Sequence, residues 1–196
     1  MSGSPLVEAG QFLVSTIFDI YLIIVALRFL FQCTQVDFYN PLSQFVVKAT
    51  NHPLKYLRRW IPEYAGIDWS SLLLMIVIKI VEIVLMLLIG SGRIPSVMGL
   101  LVISFAEILQ LMIYIFTFTI FIQIFISWIN PGTCNHVTVI LYKLIDPLLR
   151  PARKLAPTVS GLDFSPLLVL IALQLGLILF IHPLLKLGYS LSGYDF

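Results

Sequence analysis

Charge is what this chain has least of. Only 11% of its 196 residues are Asp, Glu, Lys or Arg, while 59% are hydrophobic and the mean hydropathy is +1.00. A water-soluble fold of this length has no interior large enough to hide so much apolar surface. The net charge of +2 is too small, and the basic residues too evenly divided between two loops, for a partner that is nucleic acid. Two cysteines, Cys33 and Cys134, impose no disulfide framework. The three histidines, His52, His136 and His182, have no spacing that converges on a metal, and a haem would need two of them facing each other inside the bundle. Glycine-rich phosphate loops, nucleophile elbows and zinc-protease helix motifs are missing. The chain is therefore read as a non-enzyme with no cofactor and no metal. No Lys or Arg precedes the first apolar run, and no small-residue cleavage pattern follows it, so that run is expected to be a retained helix in a mature chain that begins near Met1.

What the chain does have is a second copy of itself. With a shift of 95 residues and no gap, Asn40 falls on Asn135, Lys48 on Lys143, Lys55 on Arg150, Arg58 on Arg153, Arg59 on Lys154, Pro62 on Pro157, Gly66 on Gly161, Asp68 on Asp163, Ser70 on Ser165 and Leu72 on Leu167. Four apolar runs approach or exceed the roughly 20 residues that cross a bilayer: Phe12 to Phe31, Ser71 to Ile89, about Ile103 to Ile129, and Ser165 to Leu185. Each repeat is thus a spanning helix, a polar surface segment and a second spanning helix, with units expected over 1–92 and 93–196. The fold class predicted is an all-α membrane protein of four transmembrane helices, built as two tandem helix–amphipathic loop–helix repeats. The third run is over-long. From Ser96 to Ile129 it would reach about 50 Å at ~1.5 Å per residue, so a bend near Gly99 is expected to lay its first turns in the interface.

Orientation follows from where short loops keep their Lys and Arg. Lys48, Lys55, Arg58 and Arg59 lie between the first two spans, and Lys143, Arg150, Arg153 and Lys154 between the last two. Both loops are expected to face the cytoplasm, with both termini on the periplasmic side. The copies are then parallel and related by an axis along the membrane normal, unlike the inverted repeats of many transporters.

Each loop opens with an amphipathic pattern, Leu42, Phe45, Val46 and Ala49 in one copy and Val137, Ile140, Leu141 and Leu144 in the other. This spacing predicts a helix of about ten residues lying along the interface. Asn40 and Asn135 stand at N-cap positions, and Pro41 suits the first helical position. Beyond the basic residues, Gly66 and Gly161 permit a positive-φ turn, Asp68 and Asp163 can cap neighbouring amides, and Ser165-Pro166 reads as an N-cap followed by a first-turn proline. Lys55, Arg58, Arg59, Arg150, Arg153 and Lys154 are candidate contacts for anionic lipid headgroups or a partner. The plainer reading makes them ordinary positive-inside anchors.

The stretch Asp37-Phe38-Tyr39-Asn40-Pro41-Leu42-Ser43-Gln44-Phe45-Val46-Val47-Lys48, with Arg58-Arg59-Trp60-Ile61-Pro62 and Gly66-Ile67-Asp68, resembles the bacterial YggT family. Asp146-Pro147-Leu148-Leu149-Arg150-Pro151-Ala152-Arg153-Lys154 with Gly161-Leu162-Asp163-Phe164-Ser165-Pro166 resembles that family's second copy. The pattern departs at Ser70-Ser71, which lacks the serine-proline, and at His52-Pro53, whose proline is one place out of step with Pro147. The resemblance implies a multi-pass inner-membrane protein without an assigned activity. It also implies links to the maturation of a membrane-bound cytochrome in plastid relatives, and to osmotic tolerance in some bacterial ones.

Ionisable groups inside spans are costly and are therefore candidates for function. Asp19 and Arg28 are nine residues apart, which places them on opposite faces of the first span. Arg28 is expected to snorkel to the headgroups. Counted from the cytoplasmic ends at ~1.5 Å per residue, Asp19 lies about 18 Å deep, Glu82 about 16 Å and Lys79 about 12 Å. An intramembrane cluster of Asp19, Lys79 and Glu82 follows, either as an ion or proton relay or as a clasp that fixes helix pairing. Its charge is not duplicated, because Gln174 and Leu177 replace Lys79 and Glu82 in the second copy. Glu107 is expected near the outer interface, and Gln110, Gln123 and Gln174 between helices. The favoured functional expectation is a non-enzymatic scaffold or assembly factor for other inner-membrane proteins. The alternative is a small ion channel or transporter component, as a homo-oligomer because four spans leave little room for a pathway.

Overall fold

A computed structural model of the chain describes residues 4–37, 39–59, 61, 66–90, 96–129, 135–155 and 163–193. Regular structure among them is helical: α1 (Pro5–Cys33), α2 (Pro41–Leu57), α3 (Trp69–Gly90), α4 (Val97–Ile129), α5 (His136–Leu155), α6 (Ser165–Gly176) and α7 (His182–Ser192), with a π-helical segment at Leu177–Ile181 joining the last two. Four helical spans, α1, α3, α4 and the continuous α6–α7 rod over Ser165–Ser192, are long and apolar enough to cross a bilayer. The chain is thus an all-α, four-span protein of two repeats.

Within each repeat the two spans pair, α1 with α3 and α4 with α6–α7, and the intervening surface helix packs against them. The copies meet chiefly through α3 and α4. Ile108 of α4 enters a core of Leu22, Val25, Ala26, Leu54, Leu74, Met75 and Ile78 from the first repeat. Ile140 and Leu144 of α5 pack with Leu30, Phe31, Val36 and Val46. Asn40 joins the surface helices directly, since its Nδ2 donates to the His136 carbonyl at 2.8 Å.

Local chemistry explains the helix starts. Asn40 Oδ1 accepts from the Leu42 amide at 3.0 Å. Asn135 Oδ1 accepts from the Thr138 amide, and Thr138 Oγ1 accepts in return from the Asn135 amide, both at 2.9 Å. At α6 the cap differs from the sequence expectation. The helix begins at Ser165 itself, and Asp163 rather than Ser165 supplies the accepting side chain. Gly66 has φ +76°, as its turn requires. Gly161, Pro62 and Pro157 lie outside the described residues.

Two expectations need correction. The surface helices run for 17 and 20 residues instead of about ten, continuing through Pro53 in α2 and through Pro147 and Pro151 in α5. Leu54, Leu149 and Ala152 beyond those prolines are buried, and their packing offsets the lost amide bonds. The buried face of α2 uses Ser43, Val46, Thr50 and Leu54, while Leu42 and Phe45 of the apolar pattern point outward. Apolar residues on both faces suit a helix wedged between bundle and lipid. Finally, α4 is α-helical without a break at Gly99, from Val97 to Ile129.

Gly99 instead serves close packing. A Cβ there would lie 2.7 Å from the Ser192 amide nitrogen, and one at Gly188 would lie 2.7 Å from Ile103 Cγ1 and 3.1 Å from the Ile103 amide nitrogen. Small residues let backbones approach where no hydrophobic driving force acts between helices. Gly188→Ala gains about 1 kcal/mol of helix propensity but meets roughly 1–3 kcal/mol of overpacking, so a net loss of stability is expected. Gly176→Ala, whose Cβ would meet only Ile113 Cδ1 at 3.9 Å, should be neutral or stabilising. Thermal denaturation of both variants in one detergent checks the opposite signs.

Candidate functional site

The sharpest constellation forms where α1, α3 and α4 meet around one ammonium group. Lys79 Nζ of α3 lies 2.9 Å from Glu82 Oε1 on the same helix, 3.3 Å from Asp19 Oδ1 of α1 and 3.1 Å from Glu107 Oε2 of α4. The fourth span brings Tyr189 of α7 within electrostatic range of Glu107 and Lys79. A lysine ammonium has three N–H donors, and here it faces three carboxylates. Lys79 and Glu82 are buried, whereas the Asp19 side chain keeps 51% of its exposure. The structure therefore brings Asp19, Lys79 and Glu82 together.

Glu107 is the member that sequence reasoning missed. On a 33-residue helix its depth cannot be counted from one end, and it reaches inward to Lys79 instead of lying near the outer interface. A lone acid opposite an acid–base pair on a neighbouring span was the available signal. Arg28 also departs from its expectation. It is only 5% exposed, and its Nη1 donates to Thr50 Oγ1 at 2.8 Å and to the Val47 carbonyl at 3.1 Å. It ties α1 to α2 and does not snorkel. Gln110 donates to the Tyr114 hydroxyl at 2.8 Å, four residues along its own helix, and not to another span.

The candidate surface contacts divide into clamped and outward-facing groups. Arg58 Nη2 pairs with the fully buried Asp68 at 2.6 Å, and its repeat partner Arg153 Nε lies 3.4 Å from Asp163. Ser71 Oγ donates to Asp68 and Ser165 Oγ to Asp163, but the two serines are not counterparts, since Ser70, which aligns with Ser165, donates to the Ile61 carbonyl. Burial opposes ionisation of Asp68, but bonds from Ser71 and Arg58 and the Arg58 charge outweigh it and hold the carboxyl below its ordinary range. Asp163 is lowered by the Ser165 hydroxyl first, against slight burial, with help from the Ser165 amide and Arg153. The Tyr142 hydroxyl, 3.2 Å away, is the largest influence raising Arg153. Arg150 pairs with Asp146 at 2.6 Å while remaining largely exposed. Lys55, Arg59 and Lys154 face outward. Among the described residues, no group of three or more His, Cys, Asp or Glu is placed to hold a metal ion.

Four spans in two parallel copies, with an ionic cluster between them and a repeated arginine–aspartate turn at one surface, define a duplicated polytopic membrane protein. The CCB3/YggT family profile matches residues 7–89 and again 102–184, segments that begin 95 residues apart. The chain belongs to the CCB3/YggT family. It is 42% identical to an uncharacterized protein of Pseudomonas aeruginosa over 85% of each chain. It is 36% identical to the uncharacterized protein YggT of Escherichia coli K12 over 83% of this chain and 84% of that one. Against an uncharacterized Vibrio alginolyticus protein it is 33% identical, over 84% of this chain and 89% of the relative. No solved structure matches the chain.

Proposed function

We propose that this protein is a multi-pass inner-membrane component that binds and exchanges protons at the Lys79 cluster, as part of a small transport system. The observation that carries the reading is the third carboxylate. With Lys79 at +1 and Asp19, Glu82 and Glu107 each at −1, the fully ionised cluster carries 1 − 3 = −2. An unbalanced charge between apolar helices is expensive, and neighbouring carboxylates answer by sharing protons. The ammonium already sits where a metal cation would bind, which favours the proton as the exchanged ion.

The repeated loops are assigned to the cytoplasm by their basic residues and both termini to the periplasm, with Lys55, Arg59, Arg150 and Lys154 available to anionic headgroups. In vesicles holding a pH-sensitive dye, the intact chain is expected to dissipate an imposed proton gradient faster than Glu82→Gln or Glu107→Gln. Dissipation no faster than in protein-free vesicles refutes the reading.

A second reading, as a scaffold for assembling other membrane proteins, is favoured by the outward apolar residues of the surface helices: Leu42, Phe45 and Tyr56 on α2, and Val137, Val139 and Tyr142 on α5. Affinity purification in mild detergent tests it, and recovery of the chain with no reproducible partner counts against it.

A further inference from the structure

The two copies use the same positions differently, and the difference leaves one interface unfinished at each end. In the second copy, Ile108, Leu111, Met112 and Ile115 of α4 pack against the first copy's core. Their equivalents 95 residues earlier are Leu13, Thr16, Ile17 and Ile20 of α1, of which Thr16 is half-buried and Leu13, Ile17 and Ile20 are exposed. Ile108 is 0% exposed and Leu13 is 60% exposed. The surface helices repeat the contrast. Ile140 is 2% exposed because it sits on Leu30, Phe31 and Val46, while its counterpart Phe45 is 57% exposed.

The receiving side shows the complementary vacancy. Leu30 and Phe31, which receive α5, are buried, whereas Phe125, the counterpart of Leu30, is outward-facing. Lys79, which receives Glu107, is buried, and its counterpart Gln174 is exposed. Were the copies arranged as a closed pair, α1 would pack on the fourth span as α4 packs on α3. The extended packing between copies instead runs through α3 and α4. The arrangement is head-to-tail, and a heterologous contact of that kind repeats from copy to copy, as a ring where the rotation closes and as an open row where it does not.

We infer that this chain self-associates head-to-tail in the membrane, the α1 face of Leu13, Ile17 and Ile20 with Phe45 docking on the Phe125 and Gln174 side of a second copy. The occupant is another copy because the repeat supplies both halves of the contact and already joins them once within the chain. The internal Lys79–Glu107 pair then corresponds to Gln174 of one copy beside Phe12 of the next.

The test uses the full chain in native membranes, with Cys33 and Cys134 replaced by serine. Phe12→Cys is placed on one tagged chain and Gln174→Cys on a differently tagged chain, and a short bismaleimide is added. A crosslinked product carrying both tags is expected, together with a ladder of oligomers when both cysteines are on one chain. Crosslinking by Phe12→Cys alone, which would mark a symmetric contact, overturns the inference. So does mixed crosslinking no stronger than that of Phe12→Cys with the outward-facing control Phe180→Cys.

Discussion

Lys79→Met should give the largest loss of stability of any single substitution in the spans. It removes the only cation within hydrogen-bonding distance of Asp19, Glu82 and Glu107 among the described residues, leaving three carboxylates facing one another between helices. Breaking a buried pair by deleting one partner costs roughly 3–5 kcal/mol, because the remaining charge is uncompensated. At about 1.4 kcal/mol per factor of ten, that shifts the folding equilibrium by roughly two to three and a half orders of magnitude. Adding Glu82→Gln and Glu107→Gln should recover much of the loss, since removing both sides of a buried interaction is far cheaper than removing one. Unfolding midpoints of the intact chain, the single variant and the triple variant, measured in one detergent, make the comparison. A single variant as stable as the intact chain would show that the ammonium holds nothing together.

Asp68→Asn should come next, and its repeat partner supplies the control. Asp68 has no exposure and accepts from Arg58 and two groups of Ser71, so neutralising it leaves an arginine without its closest anion and disturbs the start of α3. A loss of about 2–4 kcal/mol is expected. Asp163→Asn should cost under about 1 kcal/mol, because both members of the Arg153–Asp163 pair are more than one-third exposed and water screens them. The pH dependence follows from the direction of the shift. A carboxyl whose value is depressed in the folded state stabilises fully above its unfolded value, near pH 4, and that contribution disappears as pH falls through the lower folded value. Acid denaturation of the intact chain should therefore be steeper than that of Asp68→Asn, whose stability has already lost this dependence.

The fold was legible because the duplication repeats a polar segment between runs of spanning length, and hydrocarbon leaves the backbone of such runs little choice but a helix. Asn40, Asn135 and Asp68 carried their roles in residue type alone. What sequence could not give was the azimuth and depth of side chains whose surroundings come from elsewhere in the bundle. Arg28 looks like a snorkelling residue until Thr50 and the Val47 carbonyl of α2 meet it. Glu107 looks interfacial until α4 is seen to run unbroken from Val97, which moves it to the level of Lys79. The ten-residue expectation for α2 and α5 followed the apolar spacing at their starts, without the burial of Leu54 and Leu149, which carries those helices past their prolines. Of the surface arginines, Arg58 and Arg153 are taken up by turns whose aspartates lie ten residues downstream, a pairing that the repeat itself contains in both copies.

The wide turn at Leu177–Ile181 sets a limit on transferring results between the two halves. It accommodates one more residue than an α-turn, so side chains beyond it are rotated by about 100° from where an uninterrupted helix would aim them. Up to Gly176, a residue and its counterpart 95 positions away keep the same helical register, even where their surroundings differ. From His182 onward the arithmetic still names a counterpart, but the two residues point in different directions, and a scan of α7 has to be interpreted on its own geometry.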